Sequence, residues 1–265
     1  MTGGGGGGGA RLTVPGRATV RSAVAPMYFE PHVRSTQVSQ RLCGHELDLL
    51  EEQDDWYLVR GEDGYEGWMH WGFLSPPSPN GRQKQAAVLV SLGCVVQTAN
   101  RAPRPLPLGA RLFRDDIILS GEAIPQSEMP SRFPRDVTAI TQSANTLFQG
   151  SPYLWGGITP WGADCSGFVQ TIFGLHGVAV PRDAWQQSET GALAGNLDEL
   201  RAADLAFFSD RDDQRITHVA MALGEKRLVH LALGRGGFAN EDLADTQDPY
   251  VRKLRERFLH SRRVV

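Results

Sequence analysis

Cysteine is scarce. The 265-residue chain has three, Cys43, Cys94 and Cys165, far apart and without any Cys-x-x-Cys spacing. That argues against both a disulfide framework and a thiolate zinc site. A charge excess of one sign is also missing, with 27 basic residues against 30 acidic ones and a net charge of −3. Nothing in that balance favours nucleic acid as a partner. No apolar run nears the ~18–20 residues of a membrane-spanning helix, so no membrane association is expected. The sequence opens without the basic start and apolar stretch of a secretory signal; Met1 and Thr2 run straight into Gly3 to Gly9. A glycine run cannot form a packed element and reads as a flexible tail over 1–15. A cytoplasmic protein is expected, and 41% hydrophobic with 22% charged residues suits an ordinary folded core.

Short strands are what the chain offers first. Over 16–80, Leu47 and Leu49 alternate with Glu46 and Asp48, and Trp56-Tyr57-Leu58-Val59 is aromatic and branched. Glu62-Asp63-Gly64 then marks a hairpin turn before Tyr65-Glu66-Gly67-Trp68-Met69. This pattern predicts a small barrel, followed by a linker over Ser75 to Gly81. A second β-rich stretch, 81–134, has strand-like Ala87 to Val90, Cys94 to Val96 and Ile117 to Leu119. Its Leu108-Gly109-Ala110-Arg111-Leu112 echoes Leu42 to Leu47, a faint internal repeat that suggests a second copy of the module. From 135 to 265 the pattern becomes α+β: a helix over Asp136 to Phe148, a glycine-containing loop, a helix over Ser166 to Leu175, then strands. The C-terminal stretch Arg252 to Arg263 interleaves Leu254, Phe258 and Leu259 with charge and predicts a docked terminal helix.

The chemistry concentrates around Gly162-Ala163-Asp164-Cys165-Ser166-Gly167. A thiol attacks carbonyls as the thiolate, and the start of a helix supplies partial positive charge and free N–H groups that favour the anion. Those N–H groups also suit an oxyanion. A cysteine nucleophile needs an imidazole, which in turn needs an orienting group. His218 and His230 each interrupt an apolar strand, in Thr217 to Leu223 and Leu228 to Leu233. They share a sheet face only if the hairpin between them leaves an odd number of residues unpaired. An odd loop is therefore predicted. The competing reading is two hydrogen-bonded core histidines and a buried, inert thiol. His32, His45, His70, His176 and His260 show no ligand spacing, so no metal site is expected.

Together these segments resemble the NlpC-type papain-like cysteine peptidases that act on bacterial cell-wall peptides. The likeness rests on Tyr153-Leu154-Trp155-Gly156-Gly157, Asp164-Cys165-Ser166-Gly167, Val180-Pro181-Arg182-Asp183, Ala203 to Phe208, Thr217-His218-Val219-Ala220 and His230. It implies Cys165 as nucleophile, His218 as general base, His230 as its orienting partner and Tyr153 as a hydroxyl beside the nucleophile. The front half looks like two bacterial SH3-like barrels, the arrangement of the γ-D-glutamyl-L-diamino acid endopeptidases of murein-peptide recycling. By that resemblance, Glu30 and Tyr65 hold the free amine of an N-terminal L-alanine, while Trp155, Asp164, Ser166 and Asp183 contact the rest of the acyl part. Ala184 departs from the pattern, which often has serine there.

The expected protein is thus multidomain: two small all-β SH3-like barrels before an α+β papain-like catalytic domain. It would be a monomer without metal or organic cofactor, hydrolysing free murein peptides. Two other readings stay open: a peptidoglycan-binding adaptor with an inactive peptidase fold, and a Cys/His acyltransferase or amidase.

Overall fold

A computed structural model describes residues 12–76, 88–99 and 101–265. The glycine run, residues 77–81 of the expected linker, Ala87 and the boundary expected at 80/81 lie outside the described residues. The first unit is a seven-stranded antiparallel sheet of β1 (Gly16–Val20), β2 (Val24–Tyr28), β3 (Gln37–Leu42), β4 (Glu46–Gln53), β5 (Trp56–Arg60), β6 (Glu66–His70) and β7 (Leu74–Ser75), ordered β3-β2-β6-β5-β4-β1-β7. Alternation builds it: Leu47, Leu49, Val59 and Met69 point into one core with Ala18, Val20 and Met27. The expected β5–β6 hairpin is present, and Gly64 at φ +79° makes its turn.

The second β unit is smaller than the first. Among the described residues, β8 (Leu89–Thr98), β9 (Arg104–Leu106) and β10 (Asp116–Pro125) form a three-stranded antiparallel sheet ordered β10-β8-β9. Its core is not private: Cys94, Val96, Leu106 and Ala110 pack with Leu42 and Cys43 of the first unit and Ile158 of the third. A sheet of that size cannot bury enough by itself, which is why its apolar face lies on its neighbours. Cys43 and Cys94 are both buried free thiols.

After a short turn, α1 (Met129–Arg132), comes α2 (Val137–Thr146), capped as expected by Asp136, which accepts from the Ala139 N–H at 2.9 Å. The short β11 (Ile158–Thr159) and β12 (Gly162–Ala163) lead into α3 (Cys165–Leu175), followed by α4 (Ala184–Gln187). A six-stranded sheet completes the fold, ordered β13-β18-β14-β15-β16-β17, from β13 (Ala192–Leu193), β14 (Leu205–Phe208), β15 (His218–Gly224), β16 (Arg227–Ala232), β17 (Gly237–Asp242) and β18 (Phe258–Arg263). Both sheet faces are covered. Leu205, Phe207, Val219 and Met221 meet Phe168, Val169, Ile172 and Phe173 of α3. Ala206, Phe208, Ala220 and Leu228 meet Val251 and Leu254 of α5 (Pro249–Glu256).

The terminal helix is shorter than the sequence pattern suggested. It stops at Glu256, and Phe258 to Arg263 form β18. The physical reason lies in the sheet: β14 needs a partner on its second edge, and Ser261, His260 and Phe258 pair with Ala206, Phe207 and Phe208.

The first unit is stitched to the third along β3. Gln37 Nε2 donates to the Trp155 carbonyl at 2.8 Å, Gln40 Oε1 accepts from the Ile158 N–H at 3.2 Å, and Ser39 Oγ meets Arg182 at 3.2 Å. At Gly156 the backbone has φ +74°, and a Cβ there would stand 2.8 Å from the Gln37 carbonyl oxygen. Gly64 has a similar φ of +79° but open space around it. Gly64→Ala is therefore expected to lose only about 1–2 kcal/mol of stability from the left-handed backbone. Gly156→Ala, which adds the clash, should lose more, roughly 2–4 kcal/mol, in urea unfolding. Equal losses would show that the β3 seam yields freely.

Candidate active site

Cys165 opens α3, and the residue before it organises the turn. Asp164 caps the helix by accepting from the Gly167 N–H at 2.7 Å and holds the incoming loop by accepting from the Gly156 N–H at 2.8 Å. Its carboxylate also meets the Arg182 guanidinium through both oxygens, at 3.0 and 2.7 Å. Arg182 donates to Ser166 Oγ at 2.9 Å as well. This ion pair is almost wholly buried, with side chains 1% and 8% exposed. Asp164 and Ser166 border the cavity beside Cys165, yet their polar atoms are engaged mainly in fixing the loop and helix.

The two histidines lie on one face, as an odd loop requires. Met221 pairs with Val229 and Ala222 with Leu228, and the register then shifts so that Gly224 pairs with Arg227. Counting along that register sets His218 opposite Ala232 and diagonal to His230. The tight turn itself is the even pair Glu225-Lys226, both at positive φ. A bulge at Leu223 supplies the third unpaired residue. His218 Nε2 and His230 Nδ1 are 2.8 Å apart.

Behind them stands a carboxylate that the sequence reading missed. His230, fully buried, places Nε2 3.2 Å from Glu241 Oε1. Glu241 in turn receives Arg235 at 2.8 and 2.7 Å, and Arg235 also pairs with Asp248 and lies 4.3 Å over the Tyr250 ring. Burial raises the Glu241 pKa, but hydrogen bonds from His230 and Arg235 outweigh it and hold the carboxyl below its usual range. An ionised Glu241 only accepts, so with both rings neutral the His230 proton sits on Nε2 and Nδ1 is bare. His218 must then donate from Nε2, which leaves its Nδ1 lone pair as the basic site. The tautomers of both rings are set from Glu241 outward.

Burial, followed by the charge of Asp164, pushes the Cys165 thiol up to about 12. The N–H groups of Val219 and Ser166 oppose that by donating to the sulfur. Val219 is the residue after His218, so the start of β15 reaches the first turn of α3. Burial, then His230 and Arg257, hold His218 well below 6.5. Each charge alone is disfavoured here, whereas moving the proton from Cys165 to His218 creates a pair with no net charge. Tyr153 is held protonated, chiefly by burial and next by Cys165 and Asp164, and remains a donor.

A cavity of about 930 Å³ gathers most of the expected residues: Tyr65, Tyr153, Trp155, Asp164, Cys165, Ser166, Asp183 and His218 line it. Tyr65 comes from the barrel and donates to Asp183 at 3.2 Å, closing one end. Burial and the Asp183 charge raise its phenol to about 12. His230 supports from behind. Glu30 is not brought to the cavity: its exposed carboxylate pairs with His32 at 3.0 Å, and neighbouring Phe29 lines the space instead. Trp185 and Ala184 line it too, so a methyl stands where the family pattern often has a serine hydroxyl. Arg182 and Glu241 were missed because Asp164 and His230, the partners that matter to the site, stand 18 and 11 residues away on other elements. The signal for Glu241 was the alternation of β17, readable only once His230 is known to pair with Ala239.

Glu241→Gln keeps the shape but can donate as well as accept, so it no longer dictates the tautomers. The expected result is a fall of roughly 10–100-fold in kcat with little change in KM. Imidazole nitrogen NMR shifts should show His218 and His230 as tautomer mixtures. Unchanged tautomers would remove Glu241 from the site.

Comparison with known proteins follows the same division. Residues 150–260 match the NlpC/P60 family and residues 23–75 the bacterial SH3 domain. Dipeptidyl-peptidase 6 of Lysinibacillus sphaericus is 36% identical over 268 residues, 89% of this chain and 94% of that protein. The gamma-D-glutamyl-L-lysine dipeptidyl-peptidase of Bacillus subtilis is 30% identical over 240 residues, 82% of this chain and 78% of that protein. The protein of the same name from Bacillus cereus is 29% identical over 221 residues, covering 72% of this chain and 66% of that protein. A crystal structure of an NlpC/P60 family protein from Bacillus cereus superposes with a TM-score of 0.74 at 20% identity, over 94% of this chain and 99% of that one. An SH3-like all-β region thus precedes an α+β catalytic unit, and the chain belongs to the NlpC/P60 family of cysteine peptidases.

Proposed function

We propose that the protein hydrolyses the bond between γ-D-glutamate and a diamino acid in free murein peptides that begin with L-alanine. The observation that carries this reading is one cavity lined by Cys165 at a helix start, by His218 with His230 bonded behind it, and by Tyr65 with Asp183 at the barrel end. Cys165 gives its proton to His218 and attacks the γ-carbonyl. Tyr153 and the first N–H groups of α3 take up the oxyanion charge. His218 protonates the leaving amine, a thioester remains, and water activated by His218 releases L-Ala-γ-D-Glu. His230 holds His218 in place. Asp183, with Tyr65 beside it, offers a carboxylate to the substrate ammonium. Trp155 lies along the acyl part, and Asp164 and Ser166 act by fixing Arg182 and the loop.

The relatives named for γ-D-glutamyl-L-lysine cleavage support the bond chosen, and the barrel closing one end supports short free peptides over wall strands. We read 81–134 as a second, reduced SH3-like module that braces the first. The setting we propose is cytoplasmic recycling by a monomer, checked by cell fractionation and light scattering.

The test compares L-Ala-γ-D-Glu-L-Lys with its N-acetylated form and intact sacculi, using Cys165→Ala as control. Cleavage of the free-amine peptide alone is expected, with acetylation lowering kcat/KM by at least about 100-fold. Equal turnover of the blocked peptide would remove Asp183 and Tyr65 from amine recognition. No turnover of any substrate would sink the hydrolytic reading. His218 titrates well below 6.5 and is the base when neutral. Activity should therefore persist below pH 6.5 and decline only as pH drops through that depressed value. A kcat/KM profile with its acid limb above 6.5 would contradict this.

A further inference from the structure

The cavity is electrically lopsided. At the barrel end its acids are Asp183 and Asp164, and its one cation, Arg182, is consumed by Asp164 and Ser166. Beyond His218 the balance reverses: Arg211, Arg215, Lys253 and Arg257 line the wall, with Asp210 the one acid among them. Arg211 is held by Asp213 at 2.8 Å, and Asp210 accepts from Thr217 Oγ1 at 2.9 Å. Among the described residues, Arg215, Lys253 and Arg257 make no side-chain hydrogen bond or ion pair.

The fold explains why these cations meet beside the base. Phe208 pairs with His218 across the sheet, and the next residue, Ser209, donates its N–H to the Arg257 carbonyl at 3.0 Å. Arg257 is therefore at the same sheet end as the imidazole, half-buried, at the close of α5. Lys253 stands one helical turn earlier on the same side of α5. Arg215 comes three residues before His218. The Arg257 guanidinium is thus left without a protein partner beside a base whose protonation it opposes. A bound anion would resolve both problems.

We infer that this end is a carboxylate-binding subsite for the leaving amino acid, centred on Arg257 with Lys253 and Arg215 around it. The inference rests on the hydrolytic reading above, which fixes direction: His218 hands its proton to the leaving amine, so that amine lies against His218 and its substituents extend toward the cations. The nearest acidic group such a residue carries is its own α-carboxylate, when the peptide ends there. The second source is a side-chain carboxylate, as in a diamino dicarboxylic acid. With an ammonium held at Asp183 and a carboxylate at Arg257, the cavity would measure a short zwitterionic peptide from both ends.

The test uses L-Ala-γ-D-Glu-L-Lys as the free acid and as the C-terminal amide, with the full-length protein. The acid should have a kcat/KM about tenfold or more above the amide, mostly through KM. In Arg257→Gln that ratio should fall to about threefold or less, and Arg257→Lys should recover part of it. An amide-capped peptide with diaminopimelate in place of lysine separates the sources: restored preference assigns the subsite to the side-chain carboxylate, and no restoration assigns it to the α-carboxylate. Calorimetric binding of acid and amide to the Cys165→Ala protein reads the subsite without turnover. Tighter binding of the acid there, with no hydrolysis by the wild-type chain, would keep the subsite and overturn the hydrolytic reading. Equal binding of the two peptides, or a proportional loss on both in Arg257→Gln, would overturn the subsite.

Discussion

The buried pair of Asp164 and Arg182 is the contact on which the site depends. It joins the cap of α3, the loop carrying Trp155 and Gly156, and Ser39 of the barrel at one point. Removing one partner of such a pair leaves an uncompensated charge in the interior, at a cost of about 3–5 kcal/mol. Here the loss would also free the first turn of the helix that presents the thiol. Specificity of position, more than net stability, is what a pair in this place supplies.

Around that anchor the site is divided by electrical task. The helix start and two backbone N–H groups favour a sulfur anion, while burial resists it. Burial equally resists a lone imidazolium at His218. When one proton moves between the two groups, the attraction of the resulting charges offsets the two penalties. The Glu241–His230–His218 chain ensures that the nitrogen available for that proton is always the same one. Arg235 matters because it keeps Glu241 ionised, and an ionised carboxylate is the only version that gives the chain a direction.

The β units act on chemistry through geometry. Strand β3 abuts the catalytic loop closely enough that Gly156 admits no side chain, and Tyr65 reaches Asp183 from the hairpin tip that Gly64 makes. The second β unit backs both contacts: its Cys94, Val96 and Leu106 share a core with Leu42 and Ile158, and its Arg111 pairs with Glu62 of the hairpin turn, bracing the seam. An SH3-like region built this way is part of the cavity wall, which distinguishes it from a tethered binding module.

Local information settled what local forces control. The α2 cap at Asp136, the hairpin turn at Gly64, the helix beginning beside Cys165 and the strands bearing His218 and His230 were legible because alternation, capping and turn chemistry act over a few residues. The odd count between the histidines was legible as a requirement, but not its form, since a bulge at Leu223 depends on how two strands twist together. Long-range pairing decided the remainder. Phe258 to Arg263 became a strand because β14 had a free edge, Glu30 turned toward His32 while Phe29 took the cavity, and Arg182 and Glu241 found charges far away in the chain. Sequence alone marks the thiol and its imidazoles as candidates, through a helix start, two interrupted strands and the resemblance to a family. Only the packed chain reveals which charges stand behind them, because a buried ion selects its partner by distance in space.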